Sequence, residues 1–139
     1  MLTQEKILSW EIEFDKELTT KAYLGLPSQC DCAYCRNFLI AFQGLSPEFV
    51  TLLQKLGVDP AQPAEIVHYN VNHDGTHHYG WWYHLVGQII AGTESLEDLA
   101  QGLQVEFRTE DELAPKDFPR PIAQLEFFAN LPWVLAEKP

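Results

Sequence analysis

At 139 residues, with 46% hydrophobic and 21% charged residues, the chain has the length and composition of one globular domain with its own core. Twenty acidic residues against nine basic ones give a formal charge of -11. That excess argues against phosphate-backbone binding, so nucleic acid is not an expected partner.

No apolar run approaches the ~18 residues of a membrane-spanning helix. The opening MLTQEKILSWEIEF carries Glu5, Glu11 and Glu13 and no apolar signal core, so a cytoplasmic, non-membrane protein is expected. Three cysteines, odd in number and clustered, are expected as thiols or metal ligands rather than disulfides.

Leu8, Trp10, Ile12 and Phe14 alternate with Ser9, Glu11, Glu13 and Asp15, the period of a strand with one buried face. Lys16–Thr19 reads as a polar turn and Thr20–Leu24 as a return strand that ends over Gly25–Ser28. The segment QCDCAYCRNFLIAF, residues 29–42, then opens a helix for which Asp31 is the expected cap. Cys35, Phe38, Leu39 and Phe42 fall on one apolar stripe, Arg36 and Asn37 on the other side, and Gly44 stops the helix. A second helix starts at Ser46, with Pro47 at its first position and Glu48 complementing the dipole. Its apolar face is Phe49, Val50, Leu52, Leu53 and Leu56, and Gly57 ends it.

Beyond Pro63 the period returns to two. Ala64–Val71 and Tyr79–Ile90 read as strands joined at Asp74-Gly75, which sets His68 opposite Trp81 and Asn70 opposite Tyr79. Gly80 and Gly87 suggest bends or bulges in the long strand. Thr93–Ala100 reads as a short helix, Leu103–Arg108 as a strand, Glu110–Pro121 as a loop, and Ile122–Asn130 as the last strand. The order ββααββββ predicts a single α+β domain over residues 1–139. It has two layers: a mostly antiparallel sheet of about five or six strands, with two helices on one face. A strongly curved sheet enclosing a pocket is the variant.

CDCAYCRNF, YGWWYHLVG and the closing LPWVL together resemble a family of small bacterial proteins of unknown function. The resemblance covers most of the chain and implies no activity.

Cys30, Cys32 and Cys35 form C-x-C-x₂-C, whose C-x₂-C half is a frequent zinc-ligand spacing because a tight turn lets both thiolates reach one ion. A helix N-terminus stabilises such thiolates. A fourth ligand at a standard spacing is missing, although the fold can deliver a histidine from the loop of His73, His77 and His78. The competing reading, favoured by the apolar stripe, buries Cys35 among Phe38, Leu39 and Phe42. It leaves Cys30 and Cys32 in the loop with no ion.

Thiol catalysis would use Cys32 with one of five histidines as base, but no signature surrounds any of them. His73, Asp74, His77 and His78 around the turn offer a divalent-metal or acid–base cluster, against the plain reading of a wet loop. In the long strand His84 shares a face with Trp82 and Gln88, either as a ligand-binding pocket lining or as a hydrogen-bonded core histidine.

Three functions follow. The first is a non-enzymatic domain binding an unknown small molecule or protein. The second is a small zinc protein using the cysteines. The third is a thiol or histidine enzyme.

Overall fold

The computed structural model describes residues 1–27 and 30–139. Ser28 and Gln29, where the return strand was expected to end and the cysteine segment to begin, lie outside the described residues. The elements are β1 (Leu2–Ile7), β2 (Trp10–Asp15), α1 (Lys16–Leu24), α2 (Ala33–Ala41) continued by a 3₁₀ turn over Phe42–Gly44, α3 (Pro47–Leu56), β3 (Glu65–Val71), β4 (His77–Ala91), β5 (Glu97–Ala100), β6 (Leu103–Arg108) and β7 (Ile122–Leu131).

The α+β class holds, with seven strands and three α-helices among the described residues instead of five or six and two. All pairings are antiparallel, in the order β1-β2-β4-β7-β6-β5, with β3 on β4 as well. The sheet is open. No described helix is long and apolar enough to cross a membrane.

The long strand β4 is the spine. One edge pairs with β7 over His77–Val86. The other edge is shared: His77–Trp82 pair with β3, and Gly87–Ala91 with β2. Between them α1 fills the gap. The Tyr23 hydroxyl accepts the His84 N–H at 3.0 Å and donates to the His84 carbonyl at 2.9 Å. Thr19 Oγ1 accepts the Val86 N–H at 3.0 Å and donates to the Asp15 carbonyl at 2.8 Å. Backbone groups that a strand would have paired are thus paired by side chains, as burial requires.

This gap is why the segment after β2 is helical. Lys16–Leu24 is a helix, not a turn and a return strand, because Asp15 caps it by accepting the Leu18 N–H and its buried residues are Thr19 and Tyr23, one turn apart. The opening hairpin lies earlier than expected, turning at Leu8, whose φ of 53° is left-handed. Thr93–Ala100 is likewise not a helix: Glu97–Ala100 is an edge strand hairpinned to β6.

The odd-numbered face of β4 carries the core. Phe38 of α2 lies 4.9 Å from Trp81, and Phe49 of α3 lies 4.9 Å from Phe127, which stacks on Trp81. Phe38, Phe49, Leu53 and Leu56 are fully buried, so both predicted helix faces pack on the sheet as their spacing required.

Asn37 departs from its expected outward position. It is fully buried, and Ser46 and Pro47 begin α3 as predicted. The hairpin between β3 and β4 turns over Asn72–Thr76 with a bulge between His68 and Asn70, so His68 faces Tyr79 and Asn70 faces His78. Gly80 makes no bulge: it stays in register with Val67 and Phe128. Gly87 serves close approach, since a Cβ there would lie 2.4 Å from the Glu13 carbonyl of β2.

Candidate metal centre

The cap of α2 is Cys32, not Asp31. Its sulfur accepts the Cys35 N–H at 3.5 Å, while Cys30 Sγ accepts the Cys32 N–H at 3.4 Å. Asp31 instead lies exposed, 3.6 Å from Arg36.

The three sulfurs lie within 4.8 Å of one another. Sulfurs bound to one tetrahedral zinc at ~2.3 Å are roughly 3.8 Å apart, so closure onto an ion needs at most about 1 Å of movement. Cys35 is buried, as its stripe demands, yet its sulfur still reaches the other two.

The electrostatics of the cluster are divided. The Cys35 N–H, helped by the neighbouring thiols, holds the Cys32 thiol below its ordinary value. Burial, and then the proximity of Cys32 and Cys30, pushes the Cys35 thiol well up. Three thiolates this close repel, and a cation among them removes the conflict.

Two carbonyls in the segment between the cysteines, those of Asp31 and Tyr34, are held by side chains. Arg36 Nε donates to the Asp31 carbonyl at 3.1 Å, and the same guanidinium pairs with Glu137. The Tyr79 hydroxyl donates to the Tyr34 carbonyl at 3.0 Å. Asn37 ties the closing segment to α2: its Nδ2 donates to the Pro132 carbonyl at 3.1 Å and its Oδ1 accepts the Val134 N–H at 2.7 Å. Trp133 completes the clasp edge-on to Tyr34 at 5.7 Å. Sequence reasoning missed Asn37, Arg36, Tyr79 and Glu137. LPWVL stands out in the sequence, but its partner across the fold, Asn37, is set by the tertiary structure.

All three cysteines line one cleft of about 510 Å³ with Leu26, Pro27, Pro63, Ala64, Glu65, Ile66, Leu113 and Pro115.

None of the histidines that the 73–78 loop could deliver joins the described sulfur group. Among the described residues no histidine or carboxylate joins the sulfur group. His77 bonds His68 at 2.7 Å on the core face, His78 bonds Asn130 at 2.9 Å on the other, and His73 is exposed. Alternation along β4 separates neighbouring histidines, and Asp74 is engaged by Thr76. The 73–78 residues therefore form no joint metal site.

His84, Trp82 and Gln88 share the even-numbered face of β4, and none of them lines the cysteine cleft. Gln88 is exposed and bonds Glu13 at 3.1 Å. His84 is fully buried beside Phe118. Its Nε2 lies 3.0 Å from Gln124 Oε1, and the Gln124 amide donates to Glu126, so His84 Nε2 carries the proton. His84 Nδ1 and the Trp82 indole nitrogen are buried with no hydrogen-bond partner among the described residues. Burial lowers the pKa of His84, keeping it neutral.

No protein-family model, curated protein or solved structure matches the chain.

Proposed function

We propose that this is a small metal-binding protein in which Cys30, Cys32 and Cys35 hold one thiophilic divalent ion, zinc being the first candidate. The observation that carries this reading is the convergence of the three sulfurs within 4.8 Å, from a segment of six residues. Soft thiolates select zinc or copper(I) over calcium or magnesium. The pinned carbonyls of Asp31 and Tyr34 support it, because a site held before the ion arrives loses less entropy on binding.

The binding-domain reading meets the metal reading at the same place, since the cysteines form one wall of the cleft. Thiol catalysis has less support, because among the described residues no imidazole joins the sulfur group to act as base.

The test is elemental analysis of protein purified without added metal, followed by cadmium titration read at the sulfur-to-metal charge-transfer band. About one equivalent per chain, lost in Cys32→Ser, is the expected result. Less than a tenth of an equivalent, with no cadmium band, refutes the proposal.

A further inference from the structure

Resting on that reading, the coordination of the ion by the three cysteines is incomplete. Three protein thiolates on a divalent ion leave one position of the tetrahedron open, the arrangement of zinc sites that accept an outside ligand. The open side has a definite chemistry. The cleft walls are Leu26, Pro27, Pro63, Ile66, Leu113 and Pro115, with Glu65 the one carboxylate among its described lining residues. Its 510 Å³ falls in the range of small-molecule sites, roughly 300–1,000 Å³.

We propose that the thiol of a small apolar molecule, lodged in this cleft, fills the fourth position. Three thiolates on a divalent ion sum to one negative charge. Glu65 and the formal charge of -11 add to it, so carboxylates and phosphates are repelled on approach. A thiol arrives neutral. On binding, its S–H proton goes to solvent, its sulfur bonds the ion, and the water held there leaves. Soft sulfur matches an ion already surrounded by soft sulfur better than a hydroxyl does. The apolar body gains from burial against the proline and aliphatic walls.

The experiment uses the full chain loaded with cobalt(II), a spectroscopic stand-in for zinc, under anaerobic conditions. Benzyl mercaptan is titrated in, with benzyl alcohol as the same shape with a hard donor and mercaptoacetate as a charged thiol. The expected result is a saturable rise of about a third in sulfur-to-cobalt charge-transfer intensity, as three sulfur ligands become four. Benzyl alcohol gives no change, and mercaptoacetate binds about tenfold more weakly than benzyl mercaptan. Leu113→Asp, at an exposed cleft position, and Ile66→Ala each raise the half-saturating thiol concentration about tenfold, the equivalent of ~1.4 kcal/mol of lost apolar contact. Cobalt affinity stays within about threefold in both.

Cobalt bound through three sulfurs but blind to the thiol overturns the proposal and leaves the metal site standing. So does an equal response to benzyl alcohol, a response untouched by both cleft variants, or cobalt stripped from the protein by the thiol on gel filtration. Failure of cobalt to bind at all refutes the metal reading itself, and this proposal with it.

Discussion

Replacing Tyr23 by Phe tests the idea that α1 substitutes for a strand along β4. The Tyr23 hydroxyl pairs both backbone groups of His84, at 3.0 and 2.9 Å, and the residue is buried. Phe keeps the ring but strands one buried N–H and one buried C=O. Each stranded group costs roughly 1–3 kcal/mol, so a loss of about 3 kcal/mol is expected. Thr19→Val strands the Val86 N–H and frees the Asp15 carbonyl, with an expected loss of about 2 kcal/mol. Urea melts give the stability change, and an unchanged slope shows that the denatured state is unaltered. Amide exchange locates the effect: Tyr23→Phe should expose the His84 amide and Thr19→Val the Val86 amide. A loss below about 1 kcal/mol in Tyr23→Phe, with His84 protection unchanged, would refute the reasoning.

Phe38→Ala empties a fully buried site against Trp81 and should cost ~3 kcal/mol or more, whereas Glu11→Ala on the exposed face of β2 should stay within ~0.5 kcal/mol; urea melts of the two variants compare them. Burial depresses the folded-state pKa of His84, so the unfolded chain takes up a proton that the fold refuses. Stability should fall as pH drops below the unfolded value of about 6.5, by up to ~1.4 kcal/mol per unit from this residue, and urea midpoints at graded pH should show a shallower fall in His84→Gln. Tyr79→Phe releases the Tyr34 carbonyl within the cysteine loop and should weaken cadmium binding roughly tenfold in competition titrations, with the melting temperature measured alongside.

Local periodicity was enough to read α2, α3, β6 and β7, because each buries an apolar face whose spacing is written in consecutive residues. It failed at α1 for a physical reason. The apolar residues Leu18 and Leu24 are exposed there, and the buried anchors are the polar pair Thr19 and Tyr23, chosen for β4 amides some sixty residues away. No apolar stripe marks such a helix. The register of the β3–β4 hairpin slipped for a different reason. Asp74-Gly75 has the signature of a two-residue turn, but the loop closes from Asn72 to Thr76 and the bulge after His68 absorbs a further residue. The short edge strand β5 carries polar residues like those of a helix surface, and only its pairing with β6 defines it.

The cleft was not legible, because its walls come from residues 26–27, 63–66 and 113–115, brought together only by the fold. The convergence of the cysteines was legible, and helix capping explains why. A residue at the cap position folds its side chain back onto the N–H three residues on. Cys32 is that cap and Cys35 is that third residue, so forming the helix turn brings the two sulfurs together before any ion is present. The same geometry explains why Asp31, the better cap by residue type, is passed over: a cap at 31 would aim the carboxylate at Tyr34 and turn Cys32 away from Cys35. Sulfur is a weak acceptor, so capping with Cys32 gives up part of the stabilisation that an Asp or Ser cap supplies. An ion bound to the same sulfur, as proposed above, would restore it, since a ligand that binds only the folded state stabilises by RT ln(1 + [L]/Kd), ~2.7 kcal/mol at a hundredfold excess over Kd. The start of α2 is thus the element whose stability and metal content should rise and fall together.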